Sequence, residues 1–593
     1  MAQKVKSSKA TRARLLAGIA AILILGLSGV AVWRQPAHGP SSSAPLPAPP
    51  TLAGKPAILR ERLLAAERKA REPAATPDAM AELGRLYYAN GFIPQAEACW
   101  EFLRRKQPAD ARWTYYLADL RRSQSNYAEM TALLEQTLAL APNYAPARLQ
   151  LANLQLKSGE FDAAARNYRL RLEALPQDPY ARVGLVRIAL QAGRTDEARA
   201  LLEQLLNDTP HFSTGHNLYA ELLAAAGDDA GANRHRWLGR ETLRYREPED
   251  PWLEELQPAC YDYDRLCVSG TIEFQTEQHD RARIYFERAI EVDPARPHAY
   301  EMLASVYLKR GDAGRARDLL TSALPRLEPA KAAGVFASLS QAYRALEEPR
   351  EAIRVARQGL EQVGQHSALL DALGAALAAA GEHEEAISAW KTALAQNPGD
   401  AAMNHNLARS FLALRRLDDA LAALDRSLTL QPTYLPTLLL RGEIELQAGH
   451  LDAAANYLRP AFESHPEDAQ ARQLLATWHL RMATAAESRN DPAAAEQHYR
   501  DGLTVHGEQP ELLARLGLFY LLHSRFADAV DPLESYHRLQ PESAPGCLFL
   551  GQAYLATNRS EKAREILARG LASAERSGNS KVANDCRRLL QQL

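Results

Sequence analysis

From Leu83 onward one pattern returns every 34 residues, and it limits what this chain can fold into more than any single motif does. Leu83-Gly84 is followed by Leu117-Ala118 and Leu151-Ala152. Gly91, Gly159, Gly193 and Gly227 are separated by multiples of 34, as are Ala96, Ala164, Ala198 and Ala232. Pro108, Pro142, Pro176 and Pro210 step by 34 without a gap. A fixed period of this size marks a stack of equal units, none of which buries its apolar face alone. Within a unit, the small residue after the leucine lets a first helix approach a second one, and Ala96 or Ala164 answers it from the second helix. Tyr87, Trp100 and Tyr168 fill the space around that contact at helical spacing. The glycine turns the chain between the helices, and the proline ends the second. Cys99, beside Trp100, then reads as a packed thiol in one copy of a repeat, not as a nucleophile.

These residues resemble the tetratricopeptide repeat (TPR), with Leu83, Gly84, Tyr87, Ala96, Trp100 and Pro108 at the signature positions of a copy starting at Pro77. Further copies start near Ala111, Ala145, Pro179 and Ser213. A second series starts near Tyr263, Pro297, Ala333, Ser367, Ala401, Leu435 and Ala469, and two more copies near Pro510 and Ala544. The resemblance implies an all-α fold, a right-handed superhelical α-solenoid of about fourteen hairpins. The register slips twice. Residues 234–262 fit no repeat, and their Trp237, Tyr245, Trp252 and Tyr261 are expected to seal the open ends of two stacked arcs, with anchoring of a partner as the competing reading. Around residues 481–494 a first helix gains about two turns.

Ahead of the repeats, five basic residues, Lys4, Lys6, Lys9, Arg12 and Arg14, precede an uncharged run from Leu15 to Trp33. At helical rise the run is roughly 28 Å long, about the thickness of a bilayer core. The charge asymmetry keeps the N-terminus in the cytoplasm and exports the rest. A cleaved signal peptide is the competing reading. The expected order is a basic tail (1–14), a transmembrane signal-anchor (15–33), a Pro-rich tether (34–57) and an N-terminal helix (58–76). The first arc (77–245), an irregular junction (246–262), the second arc (263–577) and a C-terminal capping helix (578–593) follow.

Basic and acidic residues nearly balance, 70 against 72, which gives no electrostatic reason to expect nucleic acid. No H-E-x-x-H, P-loop or dinucleotide-binding run occurs, and the repeats leave no room for a catalytic domain. No catalytic residue, cofactor or small-molecule substrate is therefore expected. Metal ligands on one helix face need a spacing of three or four, and His211 and His216, five apart across a repeat boundary, do not meet it. Cys260 and Cys267 leave two readings open, a short disulfide or two separate buried thiols.

If the first helices line a concave groove, as the resemblance implies, a protein or peptide partner would meet Arg85, Tyr88, Asp119, Asn153, Arg187, Glu221, His405, Arg409 and Glu443. Their mixed charge argues against a single highly charged ligand. The expected function is a non-catalytic scaffold or adaptor in a bacterial inner membrane, with its repeats facing the periplasm. Alternatives are an assembly factor for cytochrome c maturation, pilus or polysaccharide export, or a regulatory subunit whose catalytic partner is another chain.

Overall fold

The computed structural model describes residues 48–72, 76–210, 212–241 and 248–593. The hydrophobic run 15–33 lies outside them. No described helix is long and apolar enough to cross a membrane.

Fourteen helical hairpins follow one another among the described residues, their first helices starting at Pro77, Ala111, Ala145, Pro179, Ser213, Tyr263, His298, Ala333, Ser367, Ala401, Leu435, Ala469, Pro510 and Ala544. We number them 1 to 14. The helix Ala57–Arg71 covers the open face of hairpin 1 with Leu59 and Leu63, and Tyr87 donates to its Glu67 at 2.6 Å. At the other end, Ser580–Leu590 lies on hairpin 14 through Ala583 and Cys586 and presents charge to solvent. Such end helices keep a solenoid from exposing its last apolar face.

The contact inside each hairpin is set at the eighth and twenty-fourth positions of the repeat. A Cβ added to Gly84 would lie 2.6 Å from the Trp100 ring, and one added to Gly374 would lie 2.7 Å from Trp390. Gly517 is just as close to Leu533, at 2.5 Å. Glycine is therefore required at these three positions, where the enclosed opposing side chain fills the space a Cβ would take.

The turn between the two helices passes through left-handed backbone in every hairpin, at Gly381 in hairpin 9 and at Arg415 in hairpin 10, for instance. Seven of these turns use a residue other than glycine. A side chain there costs roughly 1–2 kcal/mol. Glycine is more flexible when unfolded, which offsets part of that cost. Arg415→Gly is expected to raise stability by about 0.5–1 kcal/mol, read as a higher midpoint in urea.

Hairpin 12 departs from the others as its sequence indicated. Its first helix runs Ala469–Ser488, 20 residues against 13 in most hairpins, so two extra turns enter without breaking the stack.

The junction corrects the expectation of a seal at the arc ends. Residues 248–262 form a short helix (Pro251–Glu254) and a 3₁₀ turn (Gln257–Ala259), and they run back to hairpins 1–3. Hairpin 6 consequently starts beside hairpin 1, where Arg265 donates to the Ala89 carbonyl at 2.8 Å. The last helix of the first arc, Asp229–Glu241, meets Leu451–Ser464 of hairpin 11. The first arc thus bridges from hairpin 6 to hairpin 11. The Trp237 side chain and Tyr245 lie outside the described residues. All five cysteines are buried free thiols, and burial pushes Cys99 up to about 12 and Cys267 up to about 11. Cys260 and Cys267 are therefore separate thiols.

Candidate functional site

On the face of hairpins 1–3 that carries Tyr88, Tyr115 and Asp119, the chain's own junction occupies the place expected for a partner. Trp252 stacks on Tyr144, ring centres 3.5 Å apart and planes within 11°, and meets Tyr115 edge-on at 5.6 Å. An edge-to-face pair such as Trp252–Tyr115 adds about 0.5–1.5 kcal/mol beyond area burial. Leu256 completes the apolar contact, 2% exposed within the core of hairpins 1–3.

Asp250 is the polar centre of this strap. Its carboxylate accepts from the hydroxyls of Tyr115 and Tyr144 and from the Leu253 amide, which makes it the N-cap of the short helix as well. Burial raises the Asp250 carboxyl above the usual carboxylate range despite these donors. It also raises both phenols, and the adjacent Asp250 carboxylate raises them further. Phenols held this far from ionisation act as hydrogen-bond donors to the Asp250 carboxylate. The Tyr144 hydroxyl also receives the Trp252 amide at 3.1 Å, and Tyr116 donates to the Trp252 carbonyl at 2.9 Å.

Further along, the buried Asn90 side chain donates to the Ala259 carbonyl and accepts from the Tyr261 amide, both at 2.7 Å. The second arc holds the same backbone from its other side. Arg288 donates to the carbonyls of Gln257, Pro258 and Cys260 at 3.0, 2.9 and 2.6 Å. The strap's backbone groups are therefore met by both arcs, as buried peptide groups must be.

Of the residues expected to face a groove, the structure brings Tyr88 and Asp119 together. The Tyr88 hydroxyl donates to Asp119, whose carboxylate also pairs with Arg122 at 2.6 Å. Arg85 is half-buried in the same hairpin. Asn153 accepts from Tyr168 at 2.7 Å within hairpin 3, while Arg187 and Glu221 are exposed. In the second arc His405 is buried against Thr437 and Tyr434, Arg409 is exposed, and Glu443 is half-buried beside Gln447. Asp250, Tyr144 and Asn90 were not anticipated, and Trp252 was expected at an arc end and not against Tyr144. For Asp250 the sequence signal was a stretch rich in proline and acid, EPEDPW, that no repeat absorbs, and Asn90 and Tyr144 carried none.

Burial takes His405 down to about 4, with the charge of Arg409 contributing, and takes His235 in hairpin 5 down to about 4 as well. Below an ordinary histidine value near 6.5, the unfolded chain binds protons that these folded imidazoles refuse. Stability therefore falls as pH drops from about 6.5 towards about 4. A melting temperature that declines across that window, and declines less in His405→Gln, is the expected result.

One cluster lies across two helices, where spacing along a single helix cannot reveal it. His479 and His498, 19 residues apart, face each other through their Nδ1 atoms at 3.3 Å, with the Asp501 carboxylate close by.

Two family models described as tetratricopeptide repeat match the chain. One covers residues 168–224, 377–434 and 520–580, and the other covers 81–145, 268–332, 439–481 and 480–544. The chain is similar to the cellulose synthase 1 operon protein C of Komagataeibacter xylinus, 29% identical over 191 residues, 30% of this chain and 14% of that protein. It is similar also to the cellulose synthase operon protein C of Xanthomonas axonopodis pv. citri, 26% identical over 491 residues, 74% of this chain and 31% of that protein. The chain thus spans less than a third of the length of either relative. Among solved structures, a chain of the APC/C hetero-tetramer Cut9–Hcn1 aligns at 16% identity and a TM-score of 0.31, over 84% of this chain and 99% of that one. With its hairpin geometry and the matches spread along its length, the chain belongs to the tetratricopeptide repeat family.

Proposed function

We propose that the chain is a non-catalytic scaffold of the bacterial cell envelope. In this reading Leu15–Trp33 anchors it in the inner membrane, and the second arc offers a protein or peptide partner its surface in the periplasm. The observation that carries the reading is the contrast between hairpins 1–3 and the hairpins beyond them, among which Arg187 and Glu221 of the first arc are exposed as well. The inner face of hairpins 1–3 is filled by residues 248–262, whereas Arg409 and Glu443 in hairpins 10 and 11 keep side-chain surface in water. A surface already built from stacked hairpins needs little ordering on binding, which favours affinity. An anchor adds effective concentration towards other membrane proteins.

Site-specific photo-crosslinking in intact cells tests this. Probes at Arg409 and Glu443 are expected to trap a protein partner, and a probe at Tyr115 is expected to trap only the chain itself. Partner adducts from Tyr115 and none from the second arc would overturn the assignment. Protease added to spheroplasts is expected to digest the repeats, and protection would exclude the exported orientation.

A narrower reading, a part in polysaccharide export, is favoured by the similarity to two cellulose synthase operon C proteins. It predicts that deleting the gene lowers secreted polysaccharide while leaving cytochrome c and pili intact.

A further inference from the structure

We propose that hairpin 12 is a metal site in which His479, His498 and Asp501 hold one Zn²⁺ ion. His479 sits midway along the lengthened first helix, 9% exposed. His498 and Asp501 are one turn apart on the second helix, Pro492–Val505. The two Nδ1 atoms are 3.3 Å apart. This separation matches the roughly 3.3–3.4 Å between two nitrogens bound tetrahedrally to zinc with bonds of about 2.0–2.1 Å. One ligand atom from each of the three residues lies within 4.8 Å of the other two.

Two neighbouring features hold this arrangement. Gly502 lets the second helix close on the first, since a Cβ there would lie 3.1 Å from His479 Cβ and 2.8 Å from Leu512. Trp478 packs edge-on against both imidazoles, at 4.8 Å and 5.7 Å, and fixes their planes. Asp501 is half-exposed and accepts from Gln497 at 2.8 Å, so its carboxylate has solvent-side freedom to turn inward. Two imidazoles and one carboxylate suit zinc and its late transition-metal neighbours over magnesium or calcium, which prefer all-oxygen sets. The fourth position is left to water or to a ligand from a partner. Arg459, over the Trp478 ring at 4.9 Å, and Arg489 bring positive charge nearby that opposes a dication, and the Asp501 carboxylate is the negative group that offsets it.

The test uses the full-length chain in detergent, stripped with EDTA and titrated with Co²⁺, a spectroscopic probe of tetrahedral zinc sites. One equivalent is expected to give intense visible bands, and added Zn²⁺ is expected to remove them. His498→Gln and Asp501→Asn are each expected to weaken binding by about tenfold or more, the scale seen for loss of supporting groups alone. Both variants should melt with wild type in EDTA. If His498→Gln melts lower, Asp501→Asn, at the protein surface, decides. Absence of the bands in wild type, or bands of unchanged affinity in Asp501→Asn, would overturn the site.

Discussion

Trp252→Ala is expected to lower the stability of the first arc by about 3 kcal/mol and to free residues 248–262 from hairpins 1–3. Replacing a buried aromatic by alanine typically costs about 3–5 kcal/mol. Trp252 is half-buried, which places it at the low end of that range. The loss removes the stack on Tyr144 and the edge contact with Tyr115 together. Asp250→Ala should act through a different cause. It leaves the Tyr115 and Tyr144 hydroxyls without their acceptor, at about 1–3 kcal/mol for a buried group. The two changes strike one cluster, so the double variant should lose less than the sum of the singles. Urea melts of all three variants measure this. Because hairpins 1 and 6 meet beside the strap, the second arc should register the loss as well, through a lower midpoint for hairpin 6 in hydrogen exchange.

Gly374→Leu is expected to be the most damaging single change within a hairpin, at about 3 kcal/mol or more. Even a methyl group at this position would press on the Trp390 ring, which is 2% exposed and donates its indole N–H to Asp371 at 2.8 Å. Nothing there gives way without losing that bond or parting the helices, and overpacking of this kind costs about 1–3 kcal/mol before such losses. Gly374→Ala separates this cause from helix propensity. Alanine gains up to about 1 kcal/mol as a helix former, so a net loss in Gly374→Ala shows that the close approach to Trp390 outweighs it. Thermal unfolding of both variants reads the difference, and a stabilised Gly374→Ala would contradict the packing argument.

The repeat was legible because it is written in residues whose physical roles are local. A glycine before a fixed turn, an alanine at a helix crossing and a proline at a helix end act within one copy. Fourteen copies in register placed the hairpin starts to within one residue, His298 against Pro297 being the one shift. The two extra turns of hairpin 12 were also legible, since an insertion in a periodic pattern is a phase shift. The strap was not, for a physical reason. Its partners Asn90, Tyr115, Tyr116 and Tyr144 lie more than a hundred residues earlier, and no period links them to Asp250 or Trp252. EPEDPW showed only that helix stops there, and a segment with no regular structure can lie at an arc's end or along its face. Tyr88 is expected at a groove position, but a tyrosine there fits a partner peptide and a returning strap equally. The histidine pair of hairpin 12 is hidden in the same way, because its contact runs between helices and leaves no spacing within one helix.

Hydrogen exchange of the native full-length chain, followed by mass spectrometry over residues 250–262, tests the central claim most directly, that the chain's own strap fills the face of hairpins 1–3. The Trp252 and Tyr261 amides donate to side chains of hairpins 3 and 1, so the account predicts slow exchange there, comparable with the helices they contact and lost in Trp252→Ala. Complete exchange of this segment within seconds in the wild-type protein would contradict it.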